Sequence, residues 1–235
     1  MKIQTINSIE VSSICDLSCR YCCAKDQGKY RETGLMTMDT FLQTMEWVLF
    51  FSRRGTQMEL NLFGVGEPTL NPLLPDMISQ ARKNLRSCMP VHINTNGHWV
   101  DASTMLVTEA ERNYILRLKG AGISHIDVTG HVPFRTAKAI RVLQLCGMPG
   151  RLSVDPMTAP NNWAKQVDWF NPTYNAGPCP WINKGQIMVM SNGDITRCCI
   201  DAFGKGILGR IDQTDIDAID VSPFRLCQDC HHTTS

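Results

Sequence analysis

Up to about Pro156, short apolar runs alternate with longer stretches whose apolar residues recur every three or four positions. Ser8–Ser12, Glu59–Phe63, Val91–Asn94, His125–Thr129 and Leu152–Val154 read as strands. Thr37–Arg53, Asn71–Leu85, Thr108–Lys119 and Phe134–Leu145 read as the helices between them. In the first helix Met38, Phe41, Leu42, Met45, Val48 and Leu49 share one face, and Asp39 lies in the first turn. Such βα alternation predicts a parallel sheet or barrel, with its chemistry at the C-terminal ends of the strands. Past Pro156 the pattern changes to a Pro/Asn-rich stretch and then a hairpin. Gln186–Met190 and Asp194–Cys198 flank Ser191-Asn192-Gly193, and Asn-Gly between alternating strands is a strong turn signal, so a small second unit is expected there. No internal repeat is visible.

A chain of 235 residues can bury a full core. Its 23 Lys and Arg against 22 Asp and Glu leave a net charge of +1, which gives no reason to expect a nucleic-acid or membrane-surface partner. The N-terminus lacks the basic and apolar regions of a signal peptide, so a cytoplasmic protein with reduced thiols is expected. The most apolar run, Met45–Phe51, is far shorter than the ~20 residues a bilayer needs. Eleven cysteines, odd in number and clustered, then point to metal or cluster ligation rather than a disulfide framework.

Cys15, Cys19 and Cys22 form a C-x3-C-x2-C motif just past the first strand. Three thiolates from one loop can hold three corners of a cubane iron–sulfur cluster and leave one iron open. A zinc site completed by Cys23 or a distant histidine is the alternative. Phe63-Gly64-Val65-Gly66-Glu67-Pro68 follows the second strand, where composition alone reads as a Gly/Pro turn into a helix. Thr95-Asn96-Gly97 follows the third strand, and His125-Ile126-Asp127-Val128-Thr129-Gly130-His131 spans the fourth and its end.

With aromatic Tyr21 before Cys22, this ordered set resembles the radical S-adenosylmethionine (SAM) superfamily. The resemblance implies an α/β fold with a partial (β/α)6 TIM-like barrel over residues 1–156. It also implies a SAM-binding 4Fe–4S cluster on Cys15, Cys19 and Cys22. The GGEP-like stretch Gly64, Val65, Gly66 and Glu67 would hold the SAM amino group, with Val65 where the family motif has its first glycine. Thr95 and Asn96 match another family element, and by family position Thr129 or His131 would face the methionyl or ribose part. Structural hydrogen bonding is the alternative for these last two. Arg135 and Arg151 are candidates to reach the cavity, with a surface position as the alternative. In this family the open iron chelates SAM, an electron breaks the sulfonium bond, and the resulting 5′-deoxyadenosyl radical removes a substrate hydrogen atom. No catalytic acid or base stands out.

Cys179, Gly193, Cys198, Cys227 and Cys230 are spaced as in twitch domains, the shortened SPASM domains that hold one auxiliary 4Fe–4S cluster. The resemblance implies that the four cysteines ligate it fully, within a linker and a β-hairpin/helix twitch domain over residues 157–235. A zinc ribbon is the alternative. Cys23 and Cys199 read as bystanders, Cys88 and Cys146 as small buried thiols, and His231 and His232 as a solvated tail with a minor metal-binding option. Gly-rich Phe203–Gly209 would let the chain turn back, so that the second cluster caps the substrate cavity.

The whole looks most like compact enzymes of the 2-deoxy-scyllo-inosamine dehydrogenase type. That implies oxidation of a C–H next to oxygen or nitrogen, with the auxiliary cluster as electron acceptor and a reducing partner such as flavodoxin or ferredoxin. Two alternatives stand beside it. One is a radical isomerase acting on a nucleotide, an amino-acid-modified nucleoside or a peptide; the other is a non-catalytic metal-binding module.

Overall fold

The computed structural model describes residues 2–153, 163–168 and 177–232. Val154, the Pro156 boundary and most of the Pro/Asn-rich stretch lie outside the described residues. Strand β1 (Thr5–Ile9) leads through the cysteine loop to α1 (Met38–Arg53). Then follow β2 (Leu60–Asn61), α2 (Leu74–Asn84), β3 (Val91–Thr95), α3 (Glu109–Ala121), β4 (His125–Thr129), α4 (Pro133–Leu145) and β5 (Gly150–Ser153). Further on come α5 (Pro180–Asn183), β6 (Gln186–Val189), β7 (Asp194–Thr196) and β8 (Ile207–Arg210).

Strands β2, β3, β4 and β5 form one four-stranded sheet in that order, parallel throughout, as the βα alternation predicts. Alternation along its central strands separates two environments. Val91, Ile93, Ile126 and Val128 are fully buried in a core shared with Ile115 and Leu118 of α3 and Ala139 and Val142 of α4. His92 and Asn94, with His125, Asp127 and Thr129, occupy the opposite face because successive side chains of a strand point to opposite sides. A parallel sheet is usually apolar on both faces, so this polar face marks a lumen.

The second sheet has the order β1-β6-β7-β8. The first hairpin strand lies parallel to β1, from Thr5 beside Gln186 to Ile9 beside Val189, and β7 and β8 continue antiparallel. Side chains rather than a backbone ladder connect β1 to β2: buried Gln57 accepts from the Ile6 amide and donates to its carbonyl, and Asn61 donates to the Asn7 carbonyl. Among the described residues the two sheets do not close into a barrel.

Where the structure departs from the pattern, competing hydrogen bonds account for it. The first strand leaves the sheet after Ile9 because residues 11–13 pair with the segment before α1, where the Met36 amide donates to Val11 and the Ser13 amide to Gly34. Ile207–Gly209, expected within the Gly-rich segment where the chain turns back, belongs to β8 because it completes the ladder on β7. Helix starts follow their caps. Thr37 caps α1, and Thr108 with Glu111 forms a capping box on α3. Gly122 ends α3 at φ 97°, a left-handed conformation that suits glycine. No helix among the described residues is long and apolar enough to cross a membrane.

One buried ion pair ties α3 to α4. Lys138, fully buried, reaches Glu111 at 2.7 Å and donates to the Asp101 carbonyl at 2.8 Å. Removing the lysine leaves a buried carboxylate without its counter-charge. We therefore expect Lys138→Ala to lower unfolding free energy by about 3–5 kcal/mol, read from urea midpoints. A loss under about 1 kcal/mol would show that water reaches Glu111 and replaces the lysine.

Candidate active site

The loop after β1 and the ends of β2, β3 and β4 surround an open cavity of about 730 Å³. Its wall contains Cys15, Cys19 and Cys22, then Gly64, Val65, Gly66 and Glu67, then Thr95 and Asn96, and finally Thr129 and His131. The sequence motifs thus converge on one space. Cys23 does not join its neighbours there; it packs in a small apolar cluster with Val65, Val167, Ala202 and Phe203.

Local geometry fixes the cysteine loop. The Leu17 amide donates to Cys15 Sγ at 3.4 Å, and Cys22 Sγ accepts from the Ala24 amide at the start of a short 3-10 turn. Asp16 anchors the loop to the opposite wall, accepting from Asn96 at 2.8 Å and pairing with Arg135 at 2.6 Å and His98 at 3.1 Å. Burial opposes ionisation of Asp16, but the hydrogen bonds from Asn96, Arg135 and His98 outweigh it and hold the carboxyl down at about 2. Burial pushes the Cys15 thiol up and the Cys22 thiol up to about 11, so both are neutral until a cation compensates the thiolate.

The glycines are explained by what lies against them. A Cβ on Gly64 would sit 2.6 Å from the Glu10 side chain, and one on Gly66 would sit 2.6 Å from the Ser13 carbonyl carbon and 2.7 Å from the Ile14 oxygen. Val65, between them, turns the other way into the apolar cluster, where a side chain is required. Glu67 is 2% exposed and spends its carboxylate on the protein. One oxygen accepts from the Thr95 hydroxyl at 2.6 Å and from Thr69, and the other accepts from the Asn96 amide at 2.7 Å. The carboxylate thereby locks the ends of β2 and β3 together. Tyr21 stacks on His131, with its hydroxyl 2.9 Å from Nδ1, and Cys19 Sγ lies 3.9 Å from the same nitrogen.

Three residues in or beside this site were singled out by no motif: Asp16, Asn94 and Trp163. Asn94 accepts from the Thr129 hydroxyl at 2.5 Å across the lumen face, and Trp163 donates to the Tyr21 carbonyl at 3.0 Å. Asn94 was detectable as a polar residue in phase with His92 on a strand whose alternate positions Val91 and Ile93 are aliphatic.

The second cysteine set also converges. Cys179, Cys198, Cys227 and Cys230 line one pocket whose other walls include Trp181, Ile182, Phe224 and Leu226. Cys179 immediately precedes α5, Cys198 follows β7, and Cys227 lies in a 3-10 helix that ends at Cys230. Cys199 is not on that wall; its hydrogen bond to Cys198, with burial, pushes the Cys198 thiol up. Buried Asp201 secures the turn after Cys198, accepting from Thr196 and from the amides of Lys205 and Gly206. His232 also borders this cavity, whereas Cys88 is exposed and Cys146 is buried in the core.

Residues 9–154 match the family model described as the Radical SAM superfamily. The crystal structure of BtrN in complex with AdoMet and 2-DOIA superposes with a TM-score of 0.67 at 20% identity, covering 94% of this chain and 85% of that one. BtrN in an open conformation gives 0.60 at 18% identity, covering 94% and 82%. These likenesses are of fold. No curated protein matches the chain in sequence.

Because the atoms facing Gly66 are backbone, they cannot rotate aside. Gly66→Ala is expected to lower stability by about 1–3 kcal/mol, measured by thermal unfolding. An unchanged midpoint would show that the cysteine loop is free to shift.

Proposed function

The chain belongs to the radical SAM superfamily, and we propose that it is an oxidoreductase in which Cys15, Cys19 and Cys22 hold a SAM-binding 4Fe–4S cluster and Cys179, Cys198, Cys227 and Cys230 hold an auxiliary one. The observation that carries the reading is the difference between the two thiol sets: three line the first cavity and four line the second. Three thiolates leave a coordination position for SAM, whereas four leave none. When bound, SAM and the reduced cluster supply a radical that takes a substrate hydrogen atom, and the auxiliary cluster supplies an acceptor for the second electron.

The chain's own residues supply placement and exclusion of water. Gly64 and Gly66 let the loop backbone pack directly against the first strand and the cysteine loop. Tyr21 and His131 close one side, and Thr129 with Asn94 forms the floor toward the lumen. Val65, Cys23, Val167, Ala202 and Phe203 pack between the cysteine loop and the segment after Cys198, which supports a dry path between the two sites. A BtrN structure of the same fold is captured with AdoMet, which supports SAM in this cavity. Substrate and reductant are required from outside; a C–H next to oxygen or nitrogen, losing two hydrogens overall, fits an auxiliary cluster that accepts an electron.

Anaerobically reconstituted protein is expected to hold about eight irons per chain. Replacing Cys15, Cys19 and Cys22 by Ala should abolish 5′-deoxyadenosine formation while the auxiliary cluster stays visible by EPR; continued cleavage would refute the assignment. A Cys227→Ala/Cys230→Ala variant should still cleave SAM but lose product. With a turned-over metabolite in hand, a product lighter by two hydrogens supports oxidation, and one of unchanged mass overturns it in favour of isomerisation.

A further inference from the structure

A second set of ligating side chains lies on the lumen face, deeper along the strands than the cavity. His92 of β3 and His125 of β4 are directly paired across the sheet, and Asp127 is two residues further along β4 on the same face. The imidazole rings stack with centroids 4.4 Å apart and planes 16° from parallel, and Phe63 packs against His92. One ligand atom from each of His92, His125 and Asp127 lies within 4.8 Å of the other two. His92 is 8% exposed, and its buried Nδ1 has no hydrogen-bond partner among the described residues.

A buried ring nitrogen without a partner is costly unless a ligand satisfies it. Nothing in the fold requires a stacked histidine pair here, since the core of this sheet lies on its other face. We propose that His92, His125 and Asp127 form a binding site for a divalent metal ion of the zinc class, separate from both cysteine sets. Two imidazoles and one carboxylate are the donor set of open zinc sites, in which three protein ligands leave a position for water or substrate. Bonds of about 2.0–2.1 Å require the two rings to turn out of their stack so that their in-plane nitrogen lone pairs converge with the Asp127 carboxylate on one ion.

Arg151 clamps Asp127 through both carboxylate oxygens, at 2.7 and 3.0 Å. Each oxygen keeps a lone pair, so the arginine orients the ligand as an outer partner. Asn94 and Thr129 follow on the same face toward the cavity, so a substrate hydroxyl or amine would approach the ion from that side.

The test uses the anaerobically reconstituted protein, equilibrated with Zn²⁺, desalted, and assayed for iron and zinc together. About one zinc per chain is expected beyond an unchanged iron content, falling to near none in His125→Gln and in Asp127→Asn. Zinc absent from the iron-replete parent overturns the site, as does zinc retained by both variants. Should the variants lose iron and prove unfolded, zinc-edge absorption of the parent decides instead. Nitrogen and oxygen neighbours near 2.0–2.1 Å support the site, and sulfur near 2.3 Å places the zinc on cysteines and refutes it. Because iron is counted separately, failure here leaves the two-cluster reading intact, and failure of that reading leaves the zinc count informative.

Discussion

Glu10 is a fully buried carboxylate at the end of the first strand, and the site is assembled around it. One of its oxygens pairs with Arg31 at 2.8 Å and accepts from the Val65 amide, and the other accepts from the Ser191 amide in the hairpin turn. Arg31 in turn donates to the Ala202 carbonyl. One charge thus joins β1, the segment after the cysteine loop, the glycine loop and the unit that carries the second cysteine set. Burying an ion pair costs solvation that the Coulomb attraction only partly offsets, so the pair adds little net stability. Its consequence is positional: four chain segments share one charge, and displacing any of them leaves a buried charge unsatisfied.

That constraint explains the composition of the glycine loop. Gly64 lies against the Glu10 stem and Gly66 against the Ser13–Ile14 backbone, so neither can carry a side chain without moving the charge or the cysteine loop. Val65 is under the opposite demand. Its side chain fills the cluster with Cys23 and Phe203, which links the loop to the segment after Cys198. The departure from the family's glycine at this position is therefore a packing requirement of the second unit.

Elements whose identity depends on local pattern were legible in the sequence. The helices Met38–Arg53 and Glu109–Ala121 follow from apolar spacing and threonine caps, and the hairpin turn from Asn192-Gly193. The convergence of each cysteine set on one cavity was legible, the first from the close spacing of its thiols and the second from the resemblance to twitch domains. Features that depend on partners remote in sequence were not. No local pattern says that the first strand ends at Ile9, since its continuation pairs instead with residues 34–36. Nor does any pattern place β6 beside β1, or show that Gln57 and Asn61 would stand in for a ladder between β1 and β2. Asp16 and Trp163 escaped for the same reason: their roles lie in contacts with Asn96, Arg135 and Tyr21.

The lumen face shows how far an alternating pattern can carry meaning in a parallel sheet. On β3 and β4 the alternate residues Val91, Ile93, Ile126 and Val128 are aliphatic and pack in one core with α3 and α4. The intervening positions are thereby released from packing, and they carry His92, Asn94, His125, Asp127 and Thr129. Polar groups on a covered face cost free energy unless they bond to each other or to something that enters. Thr129 with Asn94 and Asp127 with Arg151 meet the demand internally. His92 Nδ1 does not, and it lies nearer the start of its strand than the cavity residues do. The polar character of the face therefore extends along the strands from the cysteine loop toward the opposite end of the sheet, so a molecule held at the cavity floor would meet ligating groups on the side away from the cysteines.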